Sequence, residues 1–355
     1  MSNFTYVPIL KWKQGEQGAI KELTQPIKDV LLPLLEIPAQ DYDFEEETYK
    51  KSIENHIEKL PNSITTAAIN EFYLDICNLQ NKIMTDGTYV YDYLDDLLTN
   101  INFIPVYTPT CPNKNISYFT TCLTNKRQIA IRLKFDDIED MSNIINSTII
   151  DLKITSANIS NVDLILDFSY IDPSLESRML KLVKSTLNDI PQIKDWRYIT
   201  LAGTSFPENL SSVSANGTAH IVRSFYHIYT QLLSTNTWDR DFLFGDYTIT
   251  NPIIADDIDP RFLNPSCNIR YTTEETYFVT KGTSFKKAGG SQHAQLCNII
   301  ISTPNIYLGT TYSWGDTYIN NCSNLQVGGG NLCTWRKVGT NHHITLVVNQ
   351  LANLL

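Results

Sequence analysis

A chain of 355 residues with 42% hydrophobic content can bury a large core, and a formal charge of −10 argues against an extended nucleic-acid-binding surface. The charge is uneven: residues 1–100 carry 17 Asp/Glu against 8 Lys/Arg, whereas residues 261–355 carry 3 against 7, which leaves room for an anionic ligand near the tail without any Lys/Arg run. Seven cysteines with no CxxC pair, and an opening that reads directly as a strand, argue against a zinc ribbon or a secreted disulfide framework. We expect reduced thiols in a cytoplasmic protein, and no membrane association, since no apolar stretch reaches the ~18 residues a span requires.

In chain order, the first apolar run is Thr5–Trp12, followed by helical spacing from Gln17 to Val30 and a second run, Leu31–Ile37, containing Pro33. A helix over Glu45–Leu60, ending at Pro61, leads to the third run, Glu71–Cys77. A polar connection, Asn78–Val90, and a short helix, Asp92–Leu98, precede the fourth, Asn102–Tyr107. After the polar stretch Thr108–Arg127 comes the fifth, Gln128–Leu133, then a helix from Asp136 to Lys153 with Asp136 or Asp137 as N-cap. The sixth is Val162–Phe168, with a helix over Ser174–Ile190. The seventh is Tyr198–Gly203, with a helix over Ala219–Leu233, and the eighth is Phe242–Tyr247.

Continuous apolar runs rich in β-branched and aromatic residues are typical of parallel strands buried on both faces. Eight of them alternating with helices predict a (β/α)8 TIM-like barrel, an α/β fold. The barrel is assigned to residues 1–258. Residues 259–355 change to Tyr/Thr/Asn-rich segments: Asn268–Lys281 alternates like a strand, Ala294–Ser302 reads as helix or strand, Gly328–Gly330 as a turn and His343–Leu355 as a helix. This tail is expected to be an α+β cap packed on the barrel that supplies its last helix, with a separate small α+β domain as the alternative.

Barrels place reactive groups at the carboxyl ends of their strands. Those ends carry Lys11, Lys13 and Glu16; Glu36; Asp75 and Asn78; Arg132 and Lys134; Asp167 and Ser169; Thr204 and Ser205; and Asp246. Charges among Ile, Leu, Val and Tyr are costly to bury unless paired or used. Two chemistries fit. In one, Glu36, Asp75, Asp167 and Asp246 hold a divalent cation (Mg or Mn) while Lys11, Lys13 and Arg132 neutralise a phosphate. In the other, no metal is needed: the cations bind an anion and a carboxylate is the general base. A bland reading, mutual neutralisation in a packed barrel, competes with both.

The tail adds Ser313-Trp314-Gly315-Asp316, then Cys333-Thr334-Trp335-Arg336-Lys337, then His342-His343. Adjacent histidines diverge by about 100° on a helix, so at most one enters a given site. With Trp335 and Arg336 on the substrate, His343 or His342 would act as an acid from the cap. Gly282–Gly290 with Lys281, Lys286 and Lys287 reads as an exposed mobile loop. No HExxH, Walker A, GxGxxG or GxSxG motif is present.

The opening Tyr6-Val-Pro-Ile-Leu-Lys11-Trp-Lys13-Gln-Gly15-Glu16, the run Pro33-Leu-Leu-Glu36-Ile37, Thr204-Ser205-Phe206-Pro207, Ser313-Trp-Gly-Asp316 with Ile319, and Trp335-Arg336 ahead of His342-His343 resemble the beta protein family, of a T4-type phage and bacterial relatives. That resemblance spans nearly the whole chain and implies a phage or antiphage-defence setting, with no settled activity.

The sequence therefore leads us to expect a hydrolase or nuclease-like enzyme acting on a phosphate-containing substrate. Glu36, Asp75, Asp167 and His343 would be catalytic, and Lys11, Lys13, Arg132, Ser205, Asp246, Trp335 and Arg336 would bind an anionic small molecule or nucleic acid. The competing expectation is a non-catalytic binding or assembly protein whose aromatic tail (Tyr307, Tyr312, Trp314, Trp335) docks a protein partner.

Overall fold

A computed structural model describes residues 4–79, 82–112, 114–135, 140–235, 237–253 and 265–354. In chain order the strands are β1 (Tyr6–Leu10), β2 (Leu34–Glu36), the hairpin β3 (Tyr42–Asp43) and β4 (Thr48–Tyr49), β5 (Phe72–Asp75), β6 (Phe103–Tyr107), β7 (Ile129–Lys134), β8 (Val162–Tyr170), β9 (Ile199–Thr204), β10 (Gly217–Val222), β11 (Leu243–Asp246), β12 (Ser266–Thr272) and β13 (Thr276–Ser284). Eight of them close a barrel in the order β1-β2-β5-β6-β7-β8-β9-β11, with every neighbouring pair parallel. All eight apolar runs are barrel strands.

Alternation along each strand separates two cores. Val7, Ile9, Leu34, Tyr73, Ile104, Val106, Ala130, Ile165, Ala202 and Leu243 form the cluster that fills the barrel. Their neighbours Tyr6, Leu10, Leu35, Leu74, Ile131, Leu164 and Phe244 belong to the larger cluster beneath the surrounding helices. The amino end of the interior is polar. Asp163 accepts hydrogen bonds from Tyr73 Oη at 2.8 Å and from Arg197 Nε at 2.8 Å, and Arg197 also pairs with Glu71 at 3.2 Å.

The local expectations that fail do so for identifiable reasons. Glu45–Leu60 is not one helix: it holds part of the β3–β4 hairpin and the short helix Ile53–Ile57, and a new helix runs Leu60–Ala67. Pro61 opens that helix instead of ending one, because the first turn has no N–H obligation for proline to break. Gln17–Val30 splits into helices Gln14–Lys21 and Gln25–Lys28, the second with proline in its first turn. Within Thr108–Arg127 lies a helix, Ile116–Thr124, whose N-cap Asn115 accepts from the Tyr118 amide at 3.3 Å. The helix before Leu233 begins at Ser224; Gly217–Val222 alternates in burial and is a strand. The N-cap candidates Asp136 and Asp137 lie outside the described residues.

The tail forms an antiparallel sheet, β10-β13-β12, with helices His293–Ser302, Trp314–Ser323 and Leu332–Ala352. Its strand β10 comes from the connection after β9, so this layer is built from two parts of the chain. The expected boundary at 258/259 lies outside the described residues. Gly282 lies in β13, and Lys281 donates to the Leu210 and Val213 carbonyls at 2.6 and 2.7 Å, so the expected lysine loop is a strand there, followed by a helix at Phe285–Ala288.

The C-terminal helix starts at Leu332, with Asn331 and Thr334 in a reciprocal capping box, and runs past both histidines. It packs along the helix Gln14–Lys21 and against β12 and β1. The layer sits at the carboxyl ends of β9, β11 and β1: Phe206 meets the Tyr277 ring edge-on at 5.2 Å, Arg270 donates to the Ile249 carbonyl at 2.8 Å, and Arg336 lies 3.7 Å from Glu16. Among the described residues no helix is long and apolar enough to cross a membrane.

Gly339 is a point of close approach, since a Cβ there would lie 2.8 Å from the Arg270 carbonyl oxygen and 2.6 Å from Ile249 Cδ1. Gly339→Ala should therefore cost about 1–3 kcal/mol in urea unfolding by overpacking. An unchanged midpoint would show that the helix stands off the barrel.

Candidate functional site at the barrel mouth

Continuing the inward alternation of each strand by one step brings Glu36, Asp75, Arg132 and Asp167 into the barrel near its carboxyl end, with Tyr247 just beyond β11. Arg132 is the hub. Its Nη1 donates to Glu36 Oε1 and Asp75 Oδ2, both at 2.8 Å; Nε and Nη2 donate to Asp167 Oδ2 at 3.0 and 2.7 Å; and Nη2 also donates to Tyr247 Oη at 2.9 Å. All five N–H groups are thus used. Glu36 and Asp75 are register partners on adjacent parallel strands, so their like charges would repel without the guanidinium between them.

Three aspartates are fixed by the same local device. Asp75 Oδ1 accepts from the Cys77 amide at 2.7 Å, Asp167 Oδ1 from the Ser169 amide at 3.0 Å, and Asp246 Oδ1 from the Thr248 amide at 2.8 Å. Each is an Asx turn that ends a strand. Tyr247 donates to Asp167 Oδ2 at 2.5 Å, and burial together with that carboxylate pushes its phenol well above the ordinary tyrosine range. Burial opposes the charge on Arg132, but Tyr247, Asp167, Glu36 and Asp75 outweigh it and hold the guanidinium protonated.

Lys11, partly buried at the end of β1, is pushed down by burial and partly restored by Glu36. Glu36 Oε2 has no hydrogen bond among the described residues. Lys13 is exposed, at the N-cap of the helix Gln14–Lys21, and stands outside the ring.

Arg336 lies 3.7 Å from Glu16, and its Nη1 is buried without a hydrogen-bond partner. Arg270 on β12, which sequence reasoning missed, donates from Nη1 to the Ile249 carbonyl at 2.8 Å and lies over the Phe206 ring at 4.6 Å. Burial and the nearby charge of Arg336 push it down to about 9. Its only sequence signal is a cation in an alternating strand.

Asp246, Ser205 and His343 do not join the mouth. Asp246 lies on the outward side of β11, where it accepts from Tyr6 Oη at 2.5 Å and faces His343 Nε2 at 2.9 Å. His343 Nδ1 is 2.8 Å from Thr272 Oγ1, which makes a neutral imidazole that donates to Asp246 and accepts from Thr272 the consistent assignment. The expected cap acid is therefore fully buried between barrel and cap.

Ser205 and Asp246 line a cavity of about 10 Å³ with Thr204, Arg223, Tyr226 and Tyr277, which has room for one water. Ser205 Oγ and Arg223 Nε and Nη2 have no partner there. Burial holds His343 below the usual histidine range despite Asp246. Burial of Asp246 favours its neutral form, but His343, Tyr6 and Arg223 prevail and hold it below the usual carboxylate range.

Trp335 is buried, stacks on His293 at 4.6 Å and donates to the Gly329 carbonyl at 2.7 Å, so it belongs to the cap core and not to the mouth. Tyr307 donates to the Asp316 carbonyl at 3.0 Å, and Trp314 is covered by Lys337 at 3.9 Å. These rings are engaged within the fold. His342 diverges from His343 as helical spacing requires, toward Asp316 at 2.8 Å. Among the described residues no group of three or more His, Cys, Asp or Glu is placed to hold a metal ion, because three of the four carboxylates expected to do so converge on the protein's own guanidinium.

A family model described as Beta protein matches residues 6–349. The chain is 20% identical over 351 residues to "Protein beta" of Enterobacteria phage P4, covering 96% of this chain and 92% of that protein. The phage origin agrees with the resemblance seen in the sequence, with P4 in place of a T4-type phage.

Removing the hub leaves three carboxylates facing one another. Arg132→Met is expected to lose about 3–5 kcal/mol in urea unfolding near neutral pH; an unchanged midpoint would show that the three carboxylates do not depend on the guanidinium. For His343, the unfolded imidazole protonates near 6.5 and the folded one lower, so the unfolded state gains protons first and wild-type stability falls as pH drops through about 6.5. The Asp246 contribution is lost only below the ordinary carboxylate range. His343→Gln should flatten the first part of that curve in chemical unfolding at stepped pH, and an unaltered slope would move the effect to another group.

Proposed function

The chain belongs to the Beta protein family, and from that premise and the mouth geometry we propose that it is a metal-independent hydrolase of a phosphate-bearing small molecule or nucleotide. The observation that carries this reading is the half-engaged Glu36: Arg132 fixes one carboxylate oxygen at 2.8 Å, and the other has no hydrogen bond among the described residues, with Lys11 nearby. Lys11, Arg270 and Arg336 seat the phosphate, since Arg336 Nη1 is unpartnered and Arg270 has a carbonyl and an amide, but no carboxylate, as its hydrogen-bond acceptors.

Glu36 takes a proton from water as the water oxygen bonds to phosphorus. The bond from phosphorus to the leaving oxygen breaks, and the Lys11 ammonium protonates that oxygen. Arg132, Asp75 and Asp167 are positioning residues, and Lys13 draws the anion toward the rim. The P4 relative suits a phage or antiphage-defence setting for this reaction.

Turnover of p-nitrophenyl phosphate, bis-p-nitrophenyl phosphate and nucleoside triphosphates should persist in EDTA. It should fall about 10²-fold or more in kcat for Glu36→Gln, while Arg270→Ala should chiefly raise KM. Absence of turnover on all three substrate classes, or full activity of Glu36→Gln, would refute the proposal.

A further inference from the structure

Beside the mouth, Cys77 follows β5 and Cys111 follows β6, in loops of separate βα units. The Cys111 Sγ lies 3.9 Å from the Cys77 carbonyl oxygen, which places the two side chains side by side. Both thiols line a small cavity with Asp75, Lys82, Thr108 and Lys114. Cys77 is partly exposed and Cys111 is buried, so an oxidant reaches Cys77 first. We propose that Cys77 and Cys111 form a reversible oxidation site: a hydroperoxide oxidises Cys77, and Cys111 resolves it as an intramolecular disulfide.

The Cys77 thiolate attacks the terminal peroxide oxygen, forming a sulfenic acid and releasing water or an alcohol. The Cys111 sulfur then attacks the Cys77 sulfur, and the sulfenic oxygen leaves as water. Two thiols and one peroxide O–O bond are consumed, and one S–S bond forms. The pair suits this order. Cys77 is the more exposed thiol and shares its cavity with Lys82 and Lys114, whose charges favour a thiolate, whereas Cys111 is buried. A transient disulfide of this kind is compatible with a compartment that keeps structural thiols reduced.

Oxidation would also reach the mouth. The Cys77 amide holds Asp75 Oδ1, and Asp75 holds Arg132, so a bond that pulls Cys77 toward Cys111 acts on the turn that orients one of the three carboxylates. The inference about the thiols stands without the hydrolase reading.

The second thiol pair, Cys297 and Cys322, supplies an internal comparison. These share one apolar cluster, but both are buried in the cap core, at 0% and 1% exposure. The full chain, treated with substoichiometric and then equimolar hydrogen peroxide at pH 7, is digested without reduction and mapped by mass spectrometry. The expected result is a Cys77–Cys111 cross-link, 2 Da lighter than the two reduced peptides and reversed by dithiothreitol, formed before any Cys297–Cys322 link. In Cys111→Ser, Cys77 should be trapped as a dimedone adduct. Cys77 remaining reduced under peroxide that oxidises the other thiols, or passing to sulfinic acid in the wild type without a cross-link, would overturn the proposal.

Discussion

A single guanidinium holds three carboxylates from three strands at the carboxyl end of the barrel, and the rest of the mouth is arranged around it. Neither side of this arrangement is stable alone. Arg132 without acids would be a desolvated cation in a closed barrel, and Glu36 beside Asp75 without Arg132 would be two register-matched anions in low dielectric. The planar fork of arginine satisfies four acceptors at once, which a lysine ammonium in the same place would not do. The barrel therefore keeps a rigid polar floor where an all-apolar one would have packed at less cost, and the surplus negative charge faces the cations of the rim.

The cap is held to the barrel by buried polar contacts of the same kind. His343 reaches down to Asp246 on the outer side of β11, and Asn341 donates to the Ala19 carbonyl at 3.1 Å and accepts from the Gly315 amide at 3.0 Å. His342, one residue along the helix, turns to Asp316 within the cap and stacks on Tyr271 at 3.9 Å. Adjacent histidines thus join different layers, because helical geometry separates their directions. The C-terminal helix is buried around much of its circumference in its second half, which explains why its sequence shows little amphipathic pattern.

The barrel was legible because parallel strands buried on both faces leave long apolar runs, and all eight were readable as such. Helix limits were less so: Pro61 can end or begin a helix depending on which side packs, and Gly217–Val222 becomes a strand only because β13 lies beside it. Of the expected site residues, Glu36, Asp75, Arg132 and Asp167 meet at one hub. Lys11 borders it, Lys13 and Arg336 stand toward the rim, and Ser205, Asp246, His343 and Trp335 are elsewhere. Asp246 and Tyr247 show the difficulty: neighbours at the end of β11, they face opposite sides, and a run in which both neighbours are buried does not say which points inward. Arg270 was missed because its position over the mouth depends on how β12 docks, and a lone cation in an alternating strand has no further sequence signature.

From the sequence alone came the fold class, the family resemblance and the placing of charged residues at strand ends, all of which follow from local periodicity or from motifs along the chain. Only the tertiary structure decided which charges share a site, that Arg132 occupies the place where a divalent cation was considered, that His343 is sealed beneath the cap, and that Cys77 meets Cys111. Those outcomes depend on strand register, facing and the docking of the cap. Each is set by packing between residues tens to hundreds of positions apart, which the pattern along the chain does not encode locally.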